Sequence, residues 1–89
     1  MKRAHIYFTG RVQGVGFRYT ARQLAAQLGL VGWVKNLPSG EVEAITEGDE
    51  KRIQEFLDQI KEHFRGGIED CRVDFQDAYG EFKSFDVTH

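Results

Sequence analysis

The spacing of hydrophobic residues switches repeatedly between strand-like and helix-like along this chain of 89 residues. Five stretches rich in β-forming or alternating residues predict strands at residues 4–11, 30–37, 41–47, 69–78 and 81–87. Helical spacing in residues 18–28, just before Gly29, predicts a first helix. A second helix is predicted between the candidate N-cap Asp49 and the Gly66-Gly67 pair, with an apolar stripe of Ile53, Phe56, Leu57, Ile60 and Phe64. This alternation restricts the chain to folds that combine helices with a sheet.

The predicted order of elements is β-α-β-β-α-β, followed by a short fifth strand. Each helix has one apolar stripe to bury, and the simplest arrangement places both helices on one face of an antiparallel sheet. The predicted fold class is therefore α+β, a ferredoxin-like sandwich that forms a single domain over residues 1–89. Enzymes, RNA-binding modules and regulatory modules all use this fold, so the fold leaves the function open.

The charge distribution argues against a nucleic-acid-binding protein. The 12 basic residues are interleaved with 14 acidic ones for a formal net charge of -2, whereas duplex-binding proteins concentrate Lys and Arg on one surface. An RNA-recognition domain is the first alternative for this fold, and it carries stacking aromatic residues on a strand. Here the superficially similar segment at residues 16–19, GFRY, leads into a helix. We therefore expect no nucleic-acid partner.

The sequence indicates neither a disulfide, a metal site nor a membrane segment. Cys71 is the only cysteine, and its apolar-alternating surroundings favour a small buried side chain over a reactive thiol. The histidines His5, His63 and His89 are too scattered to give metal-ligand spacing. No apolar run approaches the roughly 20 residues that span a bilayer, and no signal peptide is visible. We expect a cytoplasmic protein without membrane contact, metal or cofactor.

The strongest candidate for chemistry is the segment at residues 10–18, GRVQGVGFR, between the first strand and the first helix. A glycine-rich turn at a helix start presents free backbone N–H groups to an anion. The planar guanidinium of Arg18 can donate two hydrogen bonds to one phosphate. Local spacing alone equally allows a flexible connection with a solvated Arg18. The segment lacks the Lys-Ser/Thr pair of a P-loop and the spacing of a dinucleotide-binding loop.

Two motifs resemble the signatures of the acylphosphatase family. Residues 10–18 match the first signature along its whole length, and residues 32–36, GWVKN, followed by residues 40–43, GEVE, resemble the second. The separation of the motifs and the order of elements also fit this family over the full chain. The resemblance implies an enzyme that hydrolyses the carboxyl-phosphate bond of small acyl phosphates. We expect a monomer that needs no cofactor, with inorganic phosphate as product and competitive inhibitor.

The resemblance gives the catalytic roles to Arg18 and Asn36. It places the phosphate-binding loop at Gln13, Gly14, Val15, Gly16 and Phe17, together with Arg18. Two segments depart from the family pattern. The turn after the asparagine reads Leu37-Pro38-Ser39-Gly40, where relatives often have Asp before Gly, and the chain ends in Val87-Thr88-His89 instead of an aromatic tail.

The hydrolysis of an acyl phosphate requires only the kinds of group that these residues supply. Its leaving group is a carboxylate with a pKa of about 4, so its departure needs little help from a general acid. Phosphoryl transfer then depends on positioning and on stabilising charge, which the N–H loop and Arg18 supply, while the amide of Asn36 can accept a hydrogen bond from water. By itself, an Asn before a Pro-Ser-Gly turn is better interpreted as a turn former, and only the resemblance favours a catalytic role for Asn36. A further alternative is an acylphosphatase-like, amino-terminal module of a larger carbamoyl-transfer maturation factor.

Overall fold

The computed structural model describes all 89 residues and contains five strands and two helices. In chain order these are β1 (Lys2–Gly10), α1 (Phe17–Gln27), β2 (Val31–Asn36), β3 (Val42–Gly48), α2 (Glu50–His63), β4 (Ile68–Asp77) and β5 (Phe85–Thr88). The predicted order and the ferredoxin-like α+β class are confirmed. Only the last strand differs clearly in position, since it covers four residues and begins at Phe85 instead of residue 81. Neither helix is long and apolar enough to cross a membrane.

The ends of the helices follow from local sequence. Asp49 caps α2, and its side chain accepts a hydrogen bond from the backbone N–H of Lys51 at 2.9 Å. Lys61 and His63 lie in the last turn of α2, where positive charge complements the helix dipole. The first helix has no side-chain cap, because its N-cap is Gly16 in the left-handed conformation. The backbone N–H groups at the start of α1 therefore stay available to a ligand.

The sheet has the strand order β4-β1-β3-β2-β5. The first four strands pair antiparallel, as predicted. The fifth strand pairs with β2 in parallel, with Gly32 opposite Phe85 and Lys35 opposite Thr88. The last two predicted strands, at residues 69–78 and 81–87, therefore do not form a hairpin, because β4 and β5 lie at opposite edges of the sheet. Residues 78–84 form the crossover from β4 at one edge of the sheet to β5 at the other, and these two strands run in opposite directions.

One face of the sheet packs against both helices. The resulting core holds 16 buried residues, in which Phe17 of α1 packs edge-on against Phe8 of β1 with ring centroids 4.9 Å apart. The ring of Phe17 also lies 4.6 Å from that of Phe64, just after α2. Because Phe17 is buried at the first position of α1, the core fixes the place where the glycine-rich loop becomes a helix.

The crossover at residues 78–84 covers part of the opposite face of the sheet, which we call the open face. There the carboxylate of Glu81 lies 2.8 Å from Arg3, and the Arg3 guanidinium stands over the ring of Phe82 at 5.4 Å. Below them Glu47 is completely buried and accepts two hydrogen bonds from Arg3, at 2.6 and 2.8 Å. At this end of the open face the charges of Arg3, Glu47 and Glu81 are therefore paired.

Candidate functional site

The loop at residues 11–16 is held in place at both ends. The backbone N–H of Arg11 donates to the carbonyl of Gly67 at 2.8 Å, and the side chain of Val12 is fully buried. Gly14 and Gly16 have φ angles of 74° and 77°, which other residues adopt only with strain. A Cβ at either position would meet no atom within 4 Å, so these glycines serve the backbone conformation and not close packing.

The side chain of Arg18 is half-buried in the first turn of α1. Its Nη1 donates to the carbonyl of Thr88 at 3.3 Å and lies 3.1 Å from Nδ1 of His89. None of the ion pairs in the molecule involves Arg18. The guanidinium is therefore oriented by neutral acceptors, while its positive charge remains available to a ligand.

Asn36 is the last residue of β2, where it pairs with Val42 of β3. It lies on the helix-covered side of the sheet, as does Val34 two residues earlier, because alternate side chains of a strand share a face. The amide oxygen of Asn36 is buried and has no hydrogen-bond partner in the protein. Since an unpaired buried acceptor is costly, a donor from outside the protein would stabilise this amide.

A cleft of about 360 Å³ brings most of the predicted residues together. Arg18, Asn36, Gly14, Gly16 and Phe17 all contribute to its lining. The loop and the end of β2 thus meet around one space, although the two motifs are separate in sequence. The cleft is wide enough for a phosphate group together with part of an acyl group.

Gln13 and Val15, which the resemblance also places in the phosphate loop, do not line this cleft. The side chain of Val15 points to solvent instead. The Gln13 amide donates to the backbone carbonyls of Leu37 and Glu41, at 2.8 and 2.9 Å. Gln13 therefore ties the loop to the turn between β2 and β3, and it positions the loop relative to Asn36.

The remaining candidates lie away from the cleft. Cys71 on β4 packs against the edge of the core, and burial raises the pKa of its thiol above the ordinary value. A raised pKa disfavours the reactive thiolate, as expected, but the side chain is only half-buried where the sequence predicted a buried one. His5 on the open face hydrogen-bonds to Glu43 at 2.6 Å and stacks on Tyr7. No three His, Cys, Asp or Glu side chains lie close enough to one another to hold a metal ion.

Comparison with known proteins decides the family. The family model described as Acylphosphatase matches residues 4–87. The chain belongs to the acylphosphatase family. It is 41% identical over 90 residues to an acylphosphatase from Nostoc sp., an alignment that covers 96% of this chain and 84% of the relative.

Solved structures agree with this assignment to the acylphosphatase family. The acylphosphatase from Bacillus subtilis superposes with a TM-score of 0.93 at 34% identity, with 100% of both chains covered. The HypF structure from T. kodakarensis superposes with a TM-score of 0.85 at 30% identity, and there the match covers 100% of this chain but only 12% of HypF. The predicted family and the predicted kind of enzyme are confirmed.

Sequence reasoning missed part of the lining of this acylphosphatase cleft. Tyr19 and Arg22 of α1 and Val87 of β5 contribute to it as well. The helical spacing of Arg18 and Arg22, four residues apart, was a usable signal, because such residues lie on the same side of a helix. The contribution of β5 had no such signal, since only the tertiary fold brings that strand beside α1.

Proposed function

We propose that this chain hydrolyses the carboxyl-phosphate bond of acyl phosphates, giving a carboxylate and inorganic phosphate. The observation that carries the proposal is the convergence of Arg18, Asn36 and the glycine-rich loop on one cleft. This reaction needs three kinds of group. Arg18 supplies a cation without an acidic partner, the loop supplies backbone N–H groups, and Asn36 supplies a neutral amide.

The phosphate group binds between the loop and Arg18. The backbone N–H groups of residues 13–17, at the start of α1, donate to the phosphoryl oxygens, and the helix dipole favours their negative charge. Gln13 and Val15 contribute through the backbone alone, because their side chains face elsewhere. Arg18 donates from its fork and stabilises the charge that the phosphoryl oxygens carry in the transition state.

Asn36 positions the attacking water. Asn36 contributes to the cleft lining and its amide oxygen has no donor within the protein, so we assign to it a hydrogen bond from the attacking water. The water oxygen bonds to phosphorus as the phosphorus–oxygen bond to the acyl group breaks. The bonding electrons leave with the carboxylate, and the proton released by water ends on inorganic phosphate. A carboxylate is a good leaving group, so no general acid is required.

The proposal includes a metal-independent reaction, a monomeric protein and a cytoplasmic location. Hydrolysis of benzoyl phosphate, measured with and without an excess of chelator, tests the activity and its metal requirement together. We expect turnover that the chelator does not change, and competitive inhibition by inorganic phosphate. Loss of most of the activity on chelation, with recovery on addition of Mg²⁺ or Zn²⁺, would contradict the mechanism, and absence of hydrolysis would contradict the function.

The similarity to a small part of HypF favours a second candidate, in which the same fold acts as one module of a larger protein. Carbamoyl phosphate, which is also an acyl phosphate, distinguishes the two. A strong preference for carbamoyl phosphate over benzoyl phosphate would support the specialised module. Comparable kcat/KM for both substrates would support a general acylphosphatase.

A further inference from the structure

The cleft contains a second arginine that the proposed reaction does not use. Arg22 lies four residues after Arg18 on α1, and both contribute to the same lining. A helix rises about 1.5 Å per residue, so their Cα atoms are separated by about 6 Å along the axis. Arg22 therefore lies one turn further from the glycine-rich loop than Arg18 does.

No acidic group neutralises this pair of arginines. The lining of the cleft contains neither Asp nor Glu. None of the ion pairs involves Arg18 or Arg22, whereas Arg3, Arg65 and Arg72 each pair with a carboxylate. Two like charges one helical turn apart repel each other unless anions bind to both. Arg22 lies one turn further along the helix than the phosphate held at the loop and Arg18, so a separate anion near Arg22 would relieve this repulsion.

The surroundings of Arg22 are suited to an acyl group. Its guanidinium stands over the ring of Tyr19, 5.2 Å from the ring centroid, which restricts its orientation and leaves the edges of the fork free to donate. Tyr19 is 58% exposed as a residue and contributes to the cleft. The aromatic ring can cover the carbon skeleton of an acyl group while Arg22 binds a charge at its far end.

We infer that Arg22 and Tyr19 form a second anion subsite, so that the enzyme prefers acyl phosphates whose acyl group carries its own negative charge. This inference rests on the proposed function and specifies its substrate class. The phosphate binds at Arg18 and the loop, and a carboxylate or second phosphate several ångströms away binds at Arg22. The preference arises from charge pairing, so it weakens as salt screens the cleft.

Benzoyl phosphate and 4-carboxybenzoyl phosphate form a matched pair of substrates. They differ in one carboxylate, and the para position of a rigid ring prevents that carboxylate from attacking its own acyl phosphate. We expect kcat/KM to be about threefold to tenfold higher for the carboxylated substrate at low salt, between the value of an exposed ion pair and that of a charged hydrogen bond. The ratio should approach one in about 1 M salt.

Substitution of Arg22 tests the assignment directly. In Arg22→Gln the ratio of the two kcat/KM values should fall to about one. Glutamine propagates a helix almost as well as arginine, so this exposed position tolerates the change. Arg52→Gln is the matched control, because Arg52 is also exposed on a helix but is absent from the cleft lining. It should retain the preference of the unaltered protein.

Binding of propylphosphonate and 3-phosphonopropanoate, measured by calorimetry, gives a readout that does not depend on turnover. The carboxylated phosphonate should bind several times more tightly, and Arg22→Gln should remove the difference. Equal binding of the two phosphonates, or a preference that persists in Arg22→Gln, would overturn the subsite. If benzoyl phosphate is not hydrolysed at all, the proposed function fails, and the phosphonate pair still decides the subsite.

Discussion

The guanidinium of Arg18 is held by the carbonyl of Thr88 and the ring of His89, and it has no acidic partner. We expect Arg18→Ala to weaken both phosphate binding and transition-state stabilisation. A hydrogen bond to a charged group contributes roughly 1.5–3 kcal/mol, and two are lost, so kcat/KM should fall by at least ~100-fold. Arg18→Lys should restore little, because an ammonium lacks the fork. Near-normal kcat/KM in either variant would contradict this role and show that Arg18 is a surface residue without a catalytic function.

Asn36 provides a test that separates water positioning from phosphate binding. If its amide acts on the attacking water, Asn36→Ala should lower kcat strongly while KM and the phosphate inhibition constant change little. If Asn36 only shapes the turn that follows, the variant should lose about 1 kcal/mol of stability and keep most of its rate. Measuring kcat, phosphate inhibition and the unfolding midpoint on one preparation distinguishes the two roles. A folded variant with unaltered kcat would contradict the catalytic role.

For the cleft, the sequence was informative about individual residues only where a motif contained them. Arg18 and Asn36 were predicted because each lies in a motif that resembles a family signature, and the structure places both at one cleft. The side-chain role of Gln13 was not predicted, because its two acceptors are backbone carbonyls of the turn between β2 and β3. A hydrogen bond to a backbone carbonyl cannot be predicted from residue types, because every residue carries such a carbonyl.

At the scale of elements, Gln13 connects the glycine-rich loop to the turn between β2 and β3. Gln13→Ala removes two hydrogen bonds, each with a net value of about 0.5–1.5 kcal/mol. We expect a loss of about 1–3 kcal/mol of stability and a rise in KM and in the phosphate inhibition constant, because the loop loses its fixed place beside Asn36. Denaturant unfolding and phosphate inhibition measure these effects.

Gln76→Ala is a suitable control for the Gln13 variant, since Gln76 is exposed on the edge strand β4. It should change neither stability nor inhibition beyond about 0.5 kcal/mol. A Gln13 variant that loses stability but binds phosphate unchanged would show that the connection holds the turn without positioning the loop.

Most of the element order could be predicted because periodicity and glycine positions are local signals. Helix α2 is the clearest case, since its N-cap and apolar stripe agree with the structure. The place of β5 could not be predicted in this way. Its four residues are too few to show a period, and nothing local distinguishes a hairpin with β4 from a parallel pairing with β2 at the far edge.

At the scale of the whole molecule, the two faces of the sheet have separate tasks. The helix-covered face and the loop carry the cleft, whereas the open face buries the pair of Arg3 and Glu47 at the other end of β1. One carboxylate oxygen of Glu47 is buried without a hydrogen-bond partner. Such a pair is sensitive to the loss of either member, because the remaining charge is left buried and uncompensated.

We therefore expect Arg3→Met to destabilise the protein by about 3–5 kcal/mol while kcat/KM per folded molecule stays the same. The Arg3 side chain is only 15% exposed, so solvent compensates little for its loss. The double variant Arg3→Met, Glu47→Leu should recover much of the stability, since no buried charge remains. Urea unfolding together with activity at low urea checks both. A single variant as stable as the unaltered protein would show that the pair contributes no net stability.

The parallel docking of β5 makes the orientation of Arg18 depend on the last strand of the chain. Arg18 is oriented by residues 70 and 71 positions away in sequence, and these arrive only when β5 pairs with β2. Contacts between such distant segments are slow to form, because a long loop has to close first. A refolding mixture should therefore regain helix signal before it regains turnover. The appearance of activity would then report the docking of β5. A newly made chain would not hydrolyse acyl phosphates until this strand has docked.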